Sequence, residues 1–193
     1  MKRIIRIILL LALVPACAGA KNRYLVEPTN GTVSFTITKW GVFKEEGTFR
    51  DFNATIVMEP EVAKSRVDFV VKAKSVDTKN DNRDGMLRSR EFLDAERYPE
   101  LTFRSTSVVG RGKGAADVTG DLTIHGVTRR ITVPVRLVGM TRNGDRQLAA
   151  FETTFTIDRR HYNVTGGSWV ASGPPGVLGN DVTIRIVAGG MAK

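Results

Sequence analysis

The chain has one cysteine, Cys17, and two histidines, His125 and His161. A single thiol excludes a disulfide framework, and so few soft donors make a thiolate- or imidazole-rich metal site a poor expectation. Histidine chemistry has equally little material. His125 falls in the two-residue turn His125-Gly126, where an exposed, inert ring is the expectation, and His161 follows Arg159-Arg160 at the end of a strand. A serine nucleophile would need one of these rings as its base, and no nucleophile-elbow sequence is present. Gly110-Arg111-Gly112-Lys113-Gly114 is glycine-rich and basic, yet it lacks both the spacing and the strand-to-helix setting of a phosphate loop. Asn80, Asn82, Asp84, Gly85 and Glu91 do fall at positions 1, 3, 5, 6 and 12 of a calcium loop. Arg83, Arg88 and Arg90 crowd that stretch with positive charge, and no pair of amphipathic helices flanks it. A turn capping a short helix is the reading there. No enzyme, no metal and no cofactor is expected.

Long hydrophobic runs are also missing, except at the start. Lys2, Arg3 and Arg6 precede the apolar run Ile7 to Val14, and Ala18-Gly19-Ala20 supplies small residues for cleavage. The run is too short to span a bilayer of about 30 Å. Residues 1–20 therefore read as a signal peptide, and 21–193 as one exported domain. Cleavage before Cys17, with lipid attached there, is the alternative. Both place the protein in the periplasm. The formal net charge is +9, and three of those charges belong to the leader. The remaining cations are scattered singly along strands, which argues for a solvated surface and against nucleic acid.

What is present is a period of two. Val33, Phe35 and Ile37 alternate with Ser34, Thr36 and Thr38. Similar alternation runs through Val67 to Lys74, Leu101 to Arg104, Val118 to Ile124, Ile131 to Leu137, Phe151 to Ile157 and Val182 to Ile186. A strand near Phe49 to Met58 brings the number to about eight. Phe49 and Phe52 cannot share a face in a regular strand, so a bulge is expected between them. Gly110 to Gly114, His125-Gly126 and Asn143-Gly144 read as hairpin turns. Pro134 has no amide hydrogen and implies a bulge or a locally unpaired edge. The fold class is all-β, either an eight-stranded antiparallel barrel or two packed sheets. Two stretches break the pattern. Asp77 to Glu100 is polar, with a short helix expected around Arg83 to Phe92 that closes one mouth. Gly166 to Asn180 is rich in glycine and proline and carries Trp169. Phe35, Phe69, Phe103, Phe151 and Phe155 lie on inward parities and suit a tube that receives an aliphatic chain.

Several segments together resemble the YceI-like family of bacterial periplasmic proteins. They are Gly47-Thr48-Phe49 with Phe52, Asn82-Arg83-Asp84, Leu87-Arg88-Ser89, Glu91-Phe92-Leu93-Asp94 and Tyr98-Pro99-Glu100-Leu101-Thr102-Phe103. Gly120 to Thr128, Ile157-Asp158-Arg159-Arg160 and Leu178 to Ile184 continue the match, which runs from about Tyr24 to Val187. The resemblance implies a lipocalin-like eight-stranded barrel with a short helix in a capping loop. It also implies binding of a polyisoprenoid, an isoprenoid quinone or a fatty-acid-like amphiphile. Glu27 holds an acidic position common in the family, and Asn30 stands where histidine is common. On this reading Trp40, Phe43, Met86, Leu87 and Phe92 line the mouth. Phe35, Ile37, Phe49, Phe52, Phe69, Phe103, Leu122 and Phe155 form the tube, and Arg88 pairs with a head group. Passing contact with a membrane surface and a homodimer are compatible with that role. The rival reading is a non-catalytic interaction barrel whose core is filled by its own side chains.

Overall fold

The computed structural model describes residues 21–144 and 146–192; the leader, Cys17 and the expected cut after Ala20 lie outside the described residues. In chain order the elements are β1 (Asn22–Val26), β2 (Gly31–Lys39), β3 (Phe43–Phe49), β4 (Phe52–Met58), β5 (Arg66–Lys72) and β6 (Val76–Asp77). They continue with α1 (Asp81–Arg88), β7 (Glu100–Gly112), β8 (Ala115–Ile124), β9 (Val127–Asn143), β10 (Arg146–Asp158), α2 (Gly167–Ala171) and β11 (Leu178–Ala192).

These strands form one antiparallel sheet that closes on itself. Each wall pairs with the next in sequence, and β11 returns to pair with both β1 and β2. β1 and β2 are two lengths of one wall, separated by a 3-10 turn at Pro28–Asn30. β3 and β4 are two lengths of the next, separated at Arg50-Asp51. Counted by wall the barrel has eight strands, as the alternation implied, and packed open sheets are excluded. The break at Arg50-Asp51 is the parity correction expected between Phe49 and Phe52. Tight turns set the register. Trp40-Gly41, Lys113-Gly114 and His125-Gly126 all have positive φ at both central residues, the geometry whose twist matches that of the flanking strands.

Pro134 does what a missing amide hydrogen requires. β9 pairs with β8 along its first half and with β10 only from Val135 onward, where Val135 faces Thr153. Below Pro134 the two walls part, and the ladder above it carries a bulge opposite Ala150 and Phe151. The 3-10 turn Arg159–Tyr162 fills the gap, with Arg129 Nε donating to His161 O at 2.6 Å.

One end of the barrel is covered. Asn80 caps α1 by accepting from Arg83 N at 3.0 Å, and Asp81 and Asp84 sit in the first turn, where the helix dipole favours them. Buried Asp84 also accepts from the amide and hydroxyl of Thr78, at 2.8 and 2.6 Å. The calcium-loop carboxylate is therefore spent inside the chain. The helix ends at Arg88, earlier than the expected Phe92, and Gly166 N donates to Glu91 O at 2.9 Å, joining the two covering loops. His125 corrects the expectation of an exposed ring. It is half-buried edge-on against Tyr98, with centroids 5.1 Å apart.

Candidate functional site

The inward faces of the eight walls do not fill the space they enclose. Two cavities of about 340 and 420 Å³ lie end to end inside the barrel, each large enough for a small-molecule site. Protein interiors ordinarily leave few voids larger than a water molecule, so the rival reading of a self-filled core is corrected by this volume. Phe35, Phe49, Leu101, Ile124 and Ile184 border both cavities and form the waist between them. The Phe35 and Phe49 rings lie 5.7 Å apart there. Gly47, opposite Phe35 in the ladder, is forced by that ring: any side chain at 47 would collide with it.

The upper chamber is almost wholly aliphatic and aromatic. Phe69, Phe103, Leu122, Phe151 and Phe155 line it, and Val67, Val133, Val135 and Ile186 join them. The same strand parity would have supplied the additional residues. Gly120 leaves room for the Phe103 ring, much as Gly47 does for Phe35.

The lower chamber lies beneath the covering loops and is more polar. Ile37, Met86, Leu87 and Phe92 line it, together with Arg83, Arg159, Tyr162 and Trp169, which sequence reasoning did not select. Arg83, Met86 and Leu87 are spaced i, i+3, i+4 and so share one helix face. Arg88 is off that stripe. Its guanidinium donates to Lys74 O and Val76 O, both at 2.8 Å, and fastens α1 to β6. The expectation that Arg88 meets a head group is corrected accordingly.

Three further placements differ from expectation. Phe52 is buried but borders neither chamber; it stacks on Phe69 at 5.9 Å and seals the wall beneath Gly31. Trp40 and Phe43 stand clear of both chambers, 55% and 60% exposed, and at the β2–β3 hairpin their rings pack edge-on against each other with centroids 6.2 Å apart. Glu27 and Asn30 cap the turn between β1 and β2 and are exposed.

Two charged groups govern the covered end. Arg159 is 5% exposed, and its five N–H groups reach Gly179 O, Val164 O, Thr165 O, Leu178 O and Asn180 Oδ1. Burial pushes its pKa down. Beside it, Asp158 is held down to about 2, chiefly by hydrogen bonds from the Arg160 guanidinium, with the Arg160 amide helping. A carboxylate held below its unfolded value of about 3.9 stabilises the fold above that value and loses its contribution as the acid form appears. Asp158→Asn should therefore narrow the difference in melting temperature between pH 5 and pH 3.

Residues 24–189 match the YceI-like domain. The chain belongs to the YceI-like family. A UPF0312 protein of Vibrio parahaemolyticus is 40% identical over 125 residues, covering 63% of this chain and 66% of that protein, just under two thirds of its length. Protein YceI of Escherichia coli O6:H1 is 37% identical over 141 residues, covering 72% of this chain and 73% of that one. Among solved structures, BcnA of Burkholderia cenocepacia superposes with a TM-score of 0.74 at 26% identity, over 85% of this chain and 98% of that chain. A polyisoprenoid binding domain from Saccharophagus degradans has the same fold, with a TM-score of 0.65 at 20% identity over 90% and 100% of the two chains. The YceI-like fold is thus seen in this chain as an eight-walled barrel with an open, two-chambered interior.

Proposed function

We propose that this YceI-like protein is an exported carrier that holds one long-chain amphiphile of the polyisoprenoid, isoprenoid quinone or fatty-acid type inside its barrel. The observation that carries the reading is the pair of adjoining chambers that share an apolar lining at Phe35, Phe49, Leu101, Ile124 and Ile184. Each methylene buried there contributes about 0.8 kcal/mol, so a long tail needs few polar contacts. The polyisoprenoid binding domain of the same fold supports this ligand class, and the leader-like first 20 residues support a periplasmic setting. Organic extraction of the purified protein followed by mass spectrometry tests it. A stoichiometric aliphatic lipid is expected; a barrel that is repeatedly empty and takes up no lipid from vesicles would count against it.

A carrier must collect its lipid from a membrane, and the β2–β3 hairpin is suited to that contact. Trp40, Val42 and Phe43 are 55%, 73% and 60% exposed, with Lys39 Nζ 4.7 Å from the Trp40 ring centroid. Tryptophan and lysine both favour the headgroup region of a bilayer. Among the described residues no helix is long and apolar enough to cross a membrane. The double variant Trp40→Ser, Phe43→Ser should fold normally and lose several-fold in co-sedimentation with anionic vesicles. Uptake of detergent-solubilised lipid should be unchanged.

A further inference from the structure

The two chambers differ in one chemical respect. Tyr162 is 2% exposed and borders the lower chamber, and its hydroxyl has no hydrogen-bond partner among the described residues. The ring is fixed by the 3-10 turn Arg159–Tyr162 and packs with Leu122 and Ile124. Leaving a buried donor unmade is unfavourable, so an orphan hydroxyl in a cavity wall calls for a partner from outside the chain. Burial raises the pKa of the phenol, which keeps it a donor in neutral solution.

Arg159, in the same wall, adds a second observation. All its hydrogen bonds go to neutral oxygens, and among the described residues no carboxylate lies within ion-pairing distance of it. The Asp158 carboxylate beside it is engaged by Arg160. The lining of the lower chamber therefore includes a buried positive charge with no ion-pair partner and, at Tyr162, an unused donor. A ligand oxygen that is anionic or strongly dipolar complements both.

We infer that the ligand lies with its oxygen-bearing end in the lower chamber, accepting a hydrogen bond from Tyr162, and its hydrocarbon tail in the upper chamber. This rests on the carrier reading and adds direction and selectivity to it. The shared chemistry is a hydrogen-bond-accepting oxygen, whether of a phosphate or of a quinone carbonyl. Thr153 Oγ1, in the upper wall, is also buried without a partner. It marks the opposite orientation, and it has no buried arginine beside it comparable to Arg159.

The experiment measures affinity through the fluorescence of Trp169, which lines the lower chamber. Three probes of similar length are used: a polyprenyl phosphate, a polyprenyl quinone and squalene, which has no oxygen. Tyr162→Phe removes only the hydroxyl, so the unliganded protein should melt at the same temperature or higher. It should bind the phosphate and the quinone about tenfold more weakly, about 1.4 kcal/mol, and squalene as tightly as wild type does. A loss confined to the phosphate, and enhanced by salt, identifies the anion as the group read; a loss confined to the quinone identifies the carbonyl. Unchanged affinity for all three probes, or an equal loss including squalene, overturns the inference. So does a tenfold selective loss in Thr153→Val with none in Tyr162→Phe. Wild-type protein that binds none of the probes sinks the carrier reading itself, and this inference with it.

Discussion

Phe103→Asp should empty the barrel before it unfolds it. Phe103 lies on β7 between Phe69 and Leu122 in the ladder, with its ring in the wall of the upper chamber. A carboxylate there can keep its water while the chamber is vacant, so the unliganded fold should lose about 1.5–3 kcal/mol, the value of one phenylalanine burial. An arriving aliphatic tail would strip that water away, and the charge must then be desolvated or neutralised. Affinity for a long-chain lipid should fall at least about 100-fold, or about 2.7 kcal/mol. Denaturant unfolding and lipid titration on the same protein separate the two losses. Were the interior solid, the order would reverse, with stability falling by about 3–5 kcal/mol.

Arg159→Leu should have the opposite signature. Its guanidinium gathers the ends of three segments: the turn after β10, the loop leading to α2 and the start of β11. Removing it strands several buried carbonyl oxygens, each worth about 1–3 kcal/mol when left unpaired. Local relaxation and water will recover part of this, and a net loss of about 3–5 kcal/mol is expected, of the size seen when a buried charge partner is removed. Arg159→Lys should recover little, because one ammonium with three donors cannot reach five acceptors spread across a planar fork. The midpoint of urea unfolding checks both variants.

Alternation exposed the barrel because its inner and outer faces differ in polarity at every second residue, from Val33-Phe35-Ile37 to Val182-Ile184-Ile186. The irregularities were legible for the same reason. Phe49 and Phe52 required a change of parity, and Pro134 required a place where no ladder bond is needed. The mouth was harder to read. Trp40 and Phe43 are apolar and adjacent to an inward-facing strand, but pattern does not say that a hairpin stands clear of the chambers. Charge alone points to Arg88, although the helical stripe of Arg83, Met86 and Leu87 already turns Arg88 away at about 100° per residue. Arg159 and Tyr162 carry no periodic signal. They sit in a 3-10 turn, and only closure of the barrel where β9 and β10 part brings them to the chamber wall.

Native mass spectrometry against a series of prenyl lipids of increasing length addresses the enclosed volume itself. One lipid per chain is predicted, with affinity rising with each added isoprene unit until both chambers are full and then levelling off. Absence of any one-to-one adduct at every length, or an affinity indifferent to length, would contradict the account.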